Sequence, residues 1–116
     1  MAGMIAAFSI TPLGTDESVG DLVAEAVRIV RASGLPNETN AMFTNIEGEW
    51  DEVMAVIKEC VDTMAQAAPR VSVVVKLDHR PGEPSGRMSR KVQSVEHKLS
   101  ESSTRGHGLV GRAGTA

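Results

Sequence analysis

The residues best suited to chemistry gather at one joint, TNIEGEWDEVM, residues 44–54. Glu47, Gly48, Glu49 and Trp50, the chain's only tryptophan, stand side by side just before a helical pattern begins. A carboxylate beside an indole can serve a cationic, heteroaromatic ligand: the acid accepts from an amine or balances a positive charge, and the ring faces the cation. The same residues can equally start a helix, because acids in a first turn complement the positive end of the helix dipole. Glu49, Asp51 and Glu52 are explained in that way. Glu47 ends an extended segment, with Asn45 and Phe43 as its alternation partners, and reads either as a solvated strand end or as a carboxylate aimed at a ligand. Trp50 opens the helix's apolar stripe and reads either as core or as a ring wall.

Other chemistries find less support. GHGLVG, residues 106–111, matches G-x-G-x-x-G, but no strand precedes it and no helix follows, so a dinucleotide site is rejected. His79, His97 and His107 share no helical face, and no acid completes a metal-ligand spacing around them. No Ser–His–Asp arrangement or P-loop can be proposed. The single Cys60 excludes an internal disulfide and a cysteine-rich metal site; lying in a helical pattern, it reads as a small buried apolar residue in a reduced compartment. HRPGEPSGR, residues 79–87, reads as a surface loop despite its arginines.

The totals bound the rest. With 116 residues, 41% of them hydrophobic, the chain has the size and composition of one globular domain. A net charge of −3 gives no basic field for nucleic acid or an anionic membrane, and 3% aromatics give no ladder for stacking bases. MAGMIAAFSI is short and has no basic start, so it reads as a first strand and not a signal peptide; no apolar run is long enough to span a bilayer.

These residues need a frame. MIAAFSIT, residues 4–11, predicts a strand ending at Pro12, which removes a ladder donor. Ser18, with Asp21 three residues on, approximates a capping box before a helix striped by Val19, Leu22, Val23, Ala26 and Val30 and closed by Gly34. Residues 37–48 are too polar for a buried helix and predict a β-ribbon bent near Ala41 to Phe43. A second helix runs from about Glu49 to Ala67, striped by Trp50, Val53, Met54, Ile57, Val61 and Met64 and stopped by Pro69. RVSVVVKLDHR, residues 70–80, is the strongest strand. Met88, Val92, Val95 and Leu99 stripe a last helix, after which residues 100–116 read as a disordered tail.

The order βαββαβ plus a helix is an α+β, ferredoxin-like plan over residues 1–99. It leaves one sheet face without helices, and a domain this small needs a second subunit to cover it. Alternation puts Ala6, Phe8 and Ile10 with Val71, Val73, Val75 and Leu77 toward the helices. Ala7, Ser9 and Thr11 with Ser72, Val74, Lys76 and Asp78 face the partner subunit. Ser9, Thr11 and Lys76 then become polar groups near an interface, each needing a hydrogen-bond partner.

Four segments carry a resemblance. FSITPLG, SVGDLVAEAVRIVRASGL, EGEWDEVMAVIKEC and APRVSVVVKLDHRPG followed by GRMSRKVQSVEHKL resemble the YkoF-like thiamine-binding family over roughly residues 4–99. The resemblance implies a ferredoxin-like core in dimers or dimers of dimers with sheets packed face to face. It implies a non-catalytic cytoplasmic binder of thiamine or its hydroxymethylpyrimidine half, a carrier or buffer in thiamine supply, with no cofactor besides that ligand. By resemblance Ser9, Met42, Thr44, Glu47 and Trp50 fall on site positions. Phe43 stands where the family has glycine, Asn45 where an apolar residue is expected, and Ala7 where an acid is frequent. Thiamine's permanent thiazolium charge and aminopyrimidine suit such a set: Phe43, Trp50 and Met42 as wall, Glu47 for charge, Ser9, Thr11 and Thr44 as hydroxyls. Lys76 would repel the thiazolium and fits better near a pyrimidine nitrogen, a phosphate or a carboxylate. The alternatives are a structural or regulatory oligomer without ligand, and an enzyme using Glu47 as general base.

Overall fold

The computed structural model describes residues 3–105, the last four by backbone alone. GHGLVG, His107 and the rest of 106–116 lie outside the described residues. The elements are β1 (Met4–Leu13), α1 (Val19–Ala32), β2 (Asn37–Thr39), β3 (Thr44–Gly48), α2 (Trp50–Ala67), β4 (Arg70–His79) and α3 (Arg87–Arg105). The strands form one antiparallel sheet in the order β2-β3-β1-β4. The two βαβ crossovers place α1 and α2 together on one face, which is the ferredoxin-like arrangement.

Local signals account for the helices. The Ser18 hydroxyl accepts from the Asp21 amide at 3.3 Å, and Gly34 follows α1 at φ 78°. Glu49 caps α2, and its own amide donates to the Glu52 carboxylate at 3.1 Å, completing a capping box. Gly48, between the two glutamates, has a packing reason: a Cβ there would stand 3.3 Å from both Leu35 and Val53. The opening motif is thus a strand end, a close approach and a helix start in succession.

The core is the row Met4, Ala6, Phe8 and Ile10 of β1 with Ile46 of β3, packed on Leu22, Ala26 and Val30 of α1 and Val53, Ile57, Cys60 and Met64 of α2. Val71, Val73 and Leu77 of β4 pack against it in part, while Val75 of the same row is exposed on the edge strand. Cys60 is buried with its thiol against the Ala26 carbonyl, and burial, aided by the Glu59 charge, pushes its pKa up to about 11.

Three expectations are corrected. β1 does not stop at Thr11 but runs through Pro12, which pairs with Val71. The reason is that β3 leaves β1 after Phe8, so that Pro12 sits where β1 has become an edge on that side. Trp50 is not core: it is 46% exposed. The last helix passes Leu99 and takes residues 100–105, previously read as tail, because an established helix extends through polar residues at little cost per residue.

Candidate functional site

Two cavities lie on opposite sides of the sheet, and the predicted site residues divide between them and the surface. The first opens where β3 ends. β1 pairs with β4 over Met4–Leu13 but with β3 only over Met4–Phe8. Beyond Phe8, among the described residues, no strand covers that edge of β1. Alternate residues there therefore present amide and carbonyl groups to whatever occupies the gap. The β2–β3 turn borders the gap. Asn40 organises this turn: its side-chain oxygen accepts from the Met42 and Phe43 amides at 2.9 Å each, and its own amide donates to the Phe43 carbonyl at 3.0 Å. The resulting cavity is about 220 Å³. Ser9, Thr44, Phe43 and Met42 line it, over an apolar floor that includes Phe8, Val23 and Met64. The Thr39 and Thr44 hydroxyls lie 3.4 Å apart at its rim. Met42 is 74% exposed at the mouth.

Four of the seven predicted residues, Ser9, Met42, Phe43 and Thr44, thus converge. Asn40 was not anticipated, although an asparagine opening a turn after a strand is a readable signal for an Asx-type turn. Ser9 and Thr11 alternate to the outer sheet face; Ser9 still borders the cavity at the β1 edge, while Thr11, exposed opposite Ser72, does not line it. Trp50 lies elsewhere, its ring edge-on to His79 with centroids 5.5 Å apart at 68°.

Glu47 has a different occupation from the one expected. It is on the sheet face opposite Ile46, yet only 1% exposed, because α3 begins on top of it. One carboxylate oxygen accepts from the Gly86 and Arg87 amides at 2.9 Å each, the other from the Met88 amide at 3.2 Å. α3 has no acid in its own first turn, so Glu47 caps it from across the fold and supplies the charge that its dipole favours. Gly86 permits the approach with φ 97°, a conformation that side chains resist. Arg87 completes the anchor. Buried beside Glu47, it donates to the Gly3 carbonyl at 2.9 Å and pairs with the Asp78 carboxylate at 3.0 Å. The reading of Glu47 as a ligand carboxylate gives way here to a helix anchor, since both of its oxygens are engaged. Its alternation also places it across the sheet from Trp50, whose partner His79 belongs to the helix-side row of β4.

The anchor leaves a second cavity of about 260 Å³ between the outer sheet face and α3. The face read as bare is therefore roofed at one end. Lys91 of α3 bonds Asp78 at 2.5 Å. Hydrogen bonds from Lys91 and then Arg87 hold the Asp78 carboxyl down at about 2, from an ordinary 3.8. A depressed carboxyl stabilises the fold fully above its ordinary value, and that contribution disappears as pH falls through about 2. The melting-temperature gap between the parent and Asp78→Asn should therefore be constant above pH 5 and close as the pH is lowered from about 4 to about 2. A gap that persists unchanged at pH 2 would mean that the Asp78 charge contributes nothing to the anchor.

Among the described residues no helix is long and apolar enough to cross a membrane, and no group of three His, Cys, Asp or Glu side chains is placed to hold a metal ion. Comparison with known proteins adds what geometry does not carry. The family model described as Thiamine-binding protein matches residues 6–96. A UPF0045 protein of Mycobacterium bovis is 56% identical over 97 residues, 83% of this chain and 94% of its own length. A UPF0045 protein of Synechocystis is 39% identical over 80% of this chain and 77% of its own length. Among solved structures, a hypothetical protein of Methanocaldococcus jannaschii superposes with a TM-score of 0.73 at 33% identity, over 83% of this chain and 98% of that one. A Thermotoga maritima protein ascribed to thiamine biosynthesis or salvage shares the fold, with a TM-score of 0.70 at 21% identity over 82% of this chain and 99% of that one.

Proposed function

Because this chain belongs to the thiamine-binding protein family, we propose that it binds thiamine or the hydroxymethylpyrimidine half, without turnover, in the cavity where β3 leaves β1. The observation that carries this is the convergence of Ser9, Thr44, Phe43 and Met42 from two strands and one turn around an apolar floor beside an uncovered strand edge. The aminopyrimidine has donors and acceptors in one plane, and the amides and carbonyls of the uncovered β1 edge with the Thr44 hydroxyl can match them. The thiazolium needs no carboxylate here. Its charge is delocalised over a soft ring, and Phe43 with the Met42 thioether offers a π-face and a polarisable wall. The match to a family described by binding supports a role as a carrier or buffer in thiamine supply.

Calorimetric titration of the ligand-stripped protein with thiamine tests this. A dissociation constant in the micromolar range or tighter, near one site per subunit, is expected. Trp50→Ala should leave it unchanged within about threefold, since the indole is outside the cavity. No heat together with no thiamine-dependent rise in melting temperature would overturn the reading.

The second reading is a structural or regulatory oligomer. It is favoured by apolar side chains left outside the fold: Val74 on the outer sheet face and Val92, Val95 and Leu99 along α3 are all exposed. A homo-oligomer is compatible with both readings. Assembly seen by sedimentation at micromolar concentration, with no thiamine heat, would select the second.

A further inference from the structure

The cavity under α3 is built differently from the one at the end of β3. Strand register draws one row across the outer face: Glu38 opposite Asn45, Asn45 opposite Ala7, Ala7 opposite Lys76. All four residues line the cavity. The row has opposite charges at its two ends and, in Ala7, a gap between them. Glu38 and Lys76 are separated by three strand spacings, about 14 Å between backbones at about 4.8 Å each. Their long side chains can close on something shorter.

At the acidic end the Asn45 amide donates to one Glu38 oxygen at 3.1 Å. That bond orients the carboxylate and leaves its second oxygen and the Asn45 carbonyl as acceptors. At the basic end Lys76 has no ion-pair or hydrogen-bond partner among the described residues. Lys91 stands over the same end on α3, sharing Asp78 with Arg87. Two cations already bond that one carboxylate, so with Lys76 the end carries excess positive charge. Its donors are ammonium groups, because the Arg87 guanidinium is occupied by Asp78 and the Gly3 carbonyl. Met88 and Val92 supply apolar wall.

We propose that this cavity is a second binding site, separate from the thiamine cavity, for a small dipolar ion. Its amine is held by Glu38 and Asn45, and its anionic head by Lys76 and Lys91 across the Ala7 gap. The arrangement selects against ligands carrying only one charge: a bare amine leaves Lys76 unanswered, and a bare anion faces Glu38. The anionic head can be a phosphate ester or a carboxylate, which differ in charge and size at the same lysines.

Calorimetric titrations of the full chain with phosphoethanolamine and with γ-aminobutyrate test the site, with ethanolamine and inorganic phosphate as single-ended controls. At least one dipolar probe should bind tenfold or more tightly than either control, and the tighter one identifies the head group. Lys76→Ala and Glu38→Gln, both at exposed positions, should each weaken it at least tenfold while leaving the melting temperature and the thiamine titration unchanged. Failure of both dipolar probes to bind at millimolar concentration overturns the proposal. So does equal binding of inorganic phosphate, or affinity unaltered in Lys76→Ala. Competition between the dipolar probe and thiamine would show one site in place of two and overturn it as well.

Discussion

Glu47→Ala should be the most damaging single substitution outside the apolar core, lowering unfolding free energy by about 3 kcal/mol. Hydrogen bonds to a charged group contribute roughly 1.5–3 kcal/mol each, they are not additive, and water can reach part of the exposed helix end. Three such bonds end on this buried carboxylate. For a domain of this size, whose total stability is about 5–15 kcal/mol, the loss is large. The urea midpoint should fall, and the amides of Gly86, Arg87 and Met88 should lose their protection from hydrogen exchange before the sheet amides do. Glu47→Gln should lie between, because a carboxamide keeps one acceptor oxygen and loses the charge that answers the helix dipole. The same variants discriminate between roles. A ligand carboxylate would lose thiamine affinity on mutation. An anchor for α3, on the far side of the sheet from the β3-end cavity, should leave that affinity within about threefold wherever the protein remains folded. Unchanged stability with lost affinity would reverse the assignment.

Phe43→Ala should show the opposite pattern. The ring lines the cavity and its residue is half-buried, in a turn that Asn40 holds through backbone amides and not through the ring. Removing it takes away one aromatic wall, about 0.5–1.5 kcal/mol of ring contact beyond the area lost. Adding the apolar area that thiamine would no longer bury, the total is about 2 kcal/mol, or roughly thirtyfold in dissociation constant at about 1.4 kcal/mol per decade. Melting temperature of the unliganded protein should change by only a degree or two. If thiamine binds Phe43→Ala as tightly as the parent, the ligand does not occupy this cavity, and the uncovered β1 edge is a feature of the fold alone.

Local patterning determined much of this protein in advance. Period-2 alternation in β1 and the 3.6 repeat in α1 and α2 are backbone geometry written into side-chain order. Ser18, Gly34 and the Glu49–Glu52 pair act within four residues of the ends they close. The ferredoxin-like order followed from those elements, whereas Met42, Phe43 and Thr44 were singled out through the family resemblance and not by local patterning. Asn40 was local, a turn asparagine whose partners are two and three residues away.

The tertiary structure decided whatever depends on which segments meet. Pro12 could stay in β1 because β3 stops early, and no residue near Pro12 encodes where another strand ends. Trp50 is half-exposed because the helix stripe meets the core only from Val53 onward, which the 3.6 period by itself does not show. Residues 100–105 extended α3 without any apolar stripe, by propagation from a turn already formed. The change of meaning is sharpest at Glu47. Its partners are the amides of residues about forty positions later, and backbone amides leave no trace in residue type. A sequence shows that an acid is present and whether its neighbours explain it. Only the fold brings a helix end to it and turns a candidate ligand group into the anchor of α3.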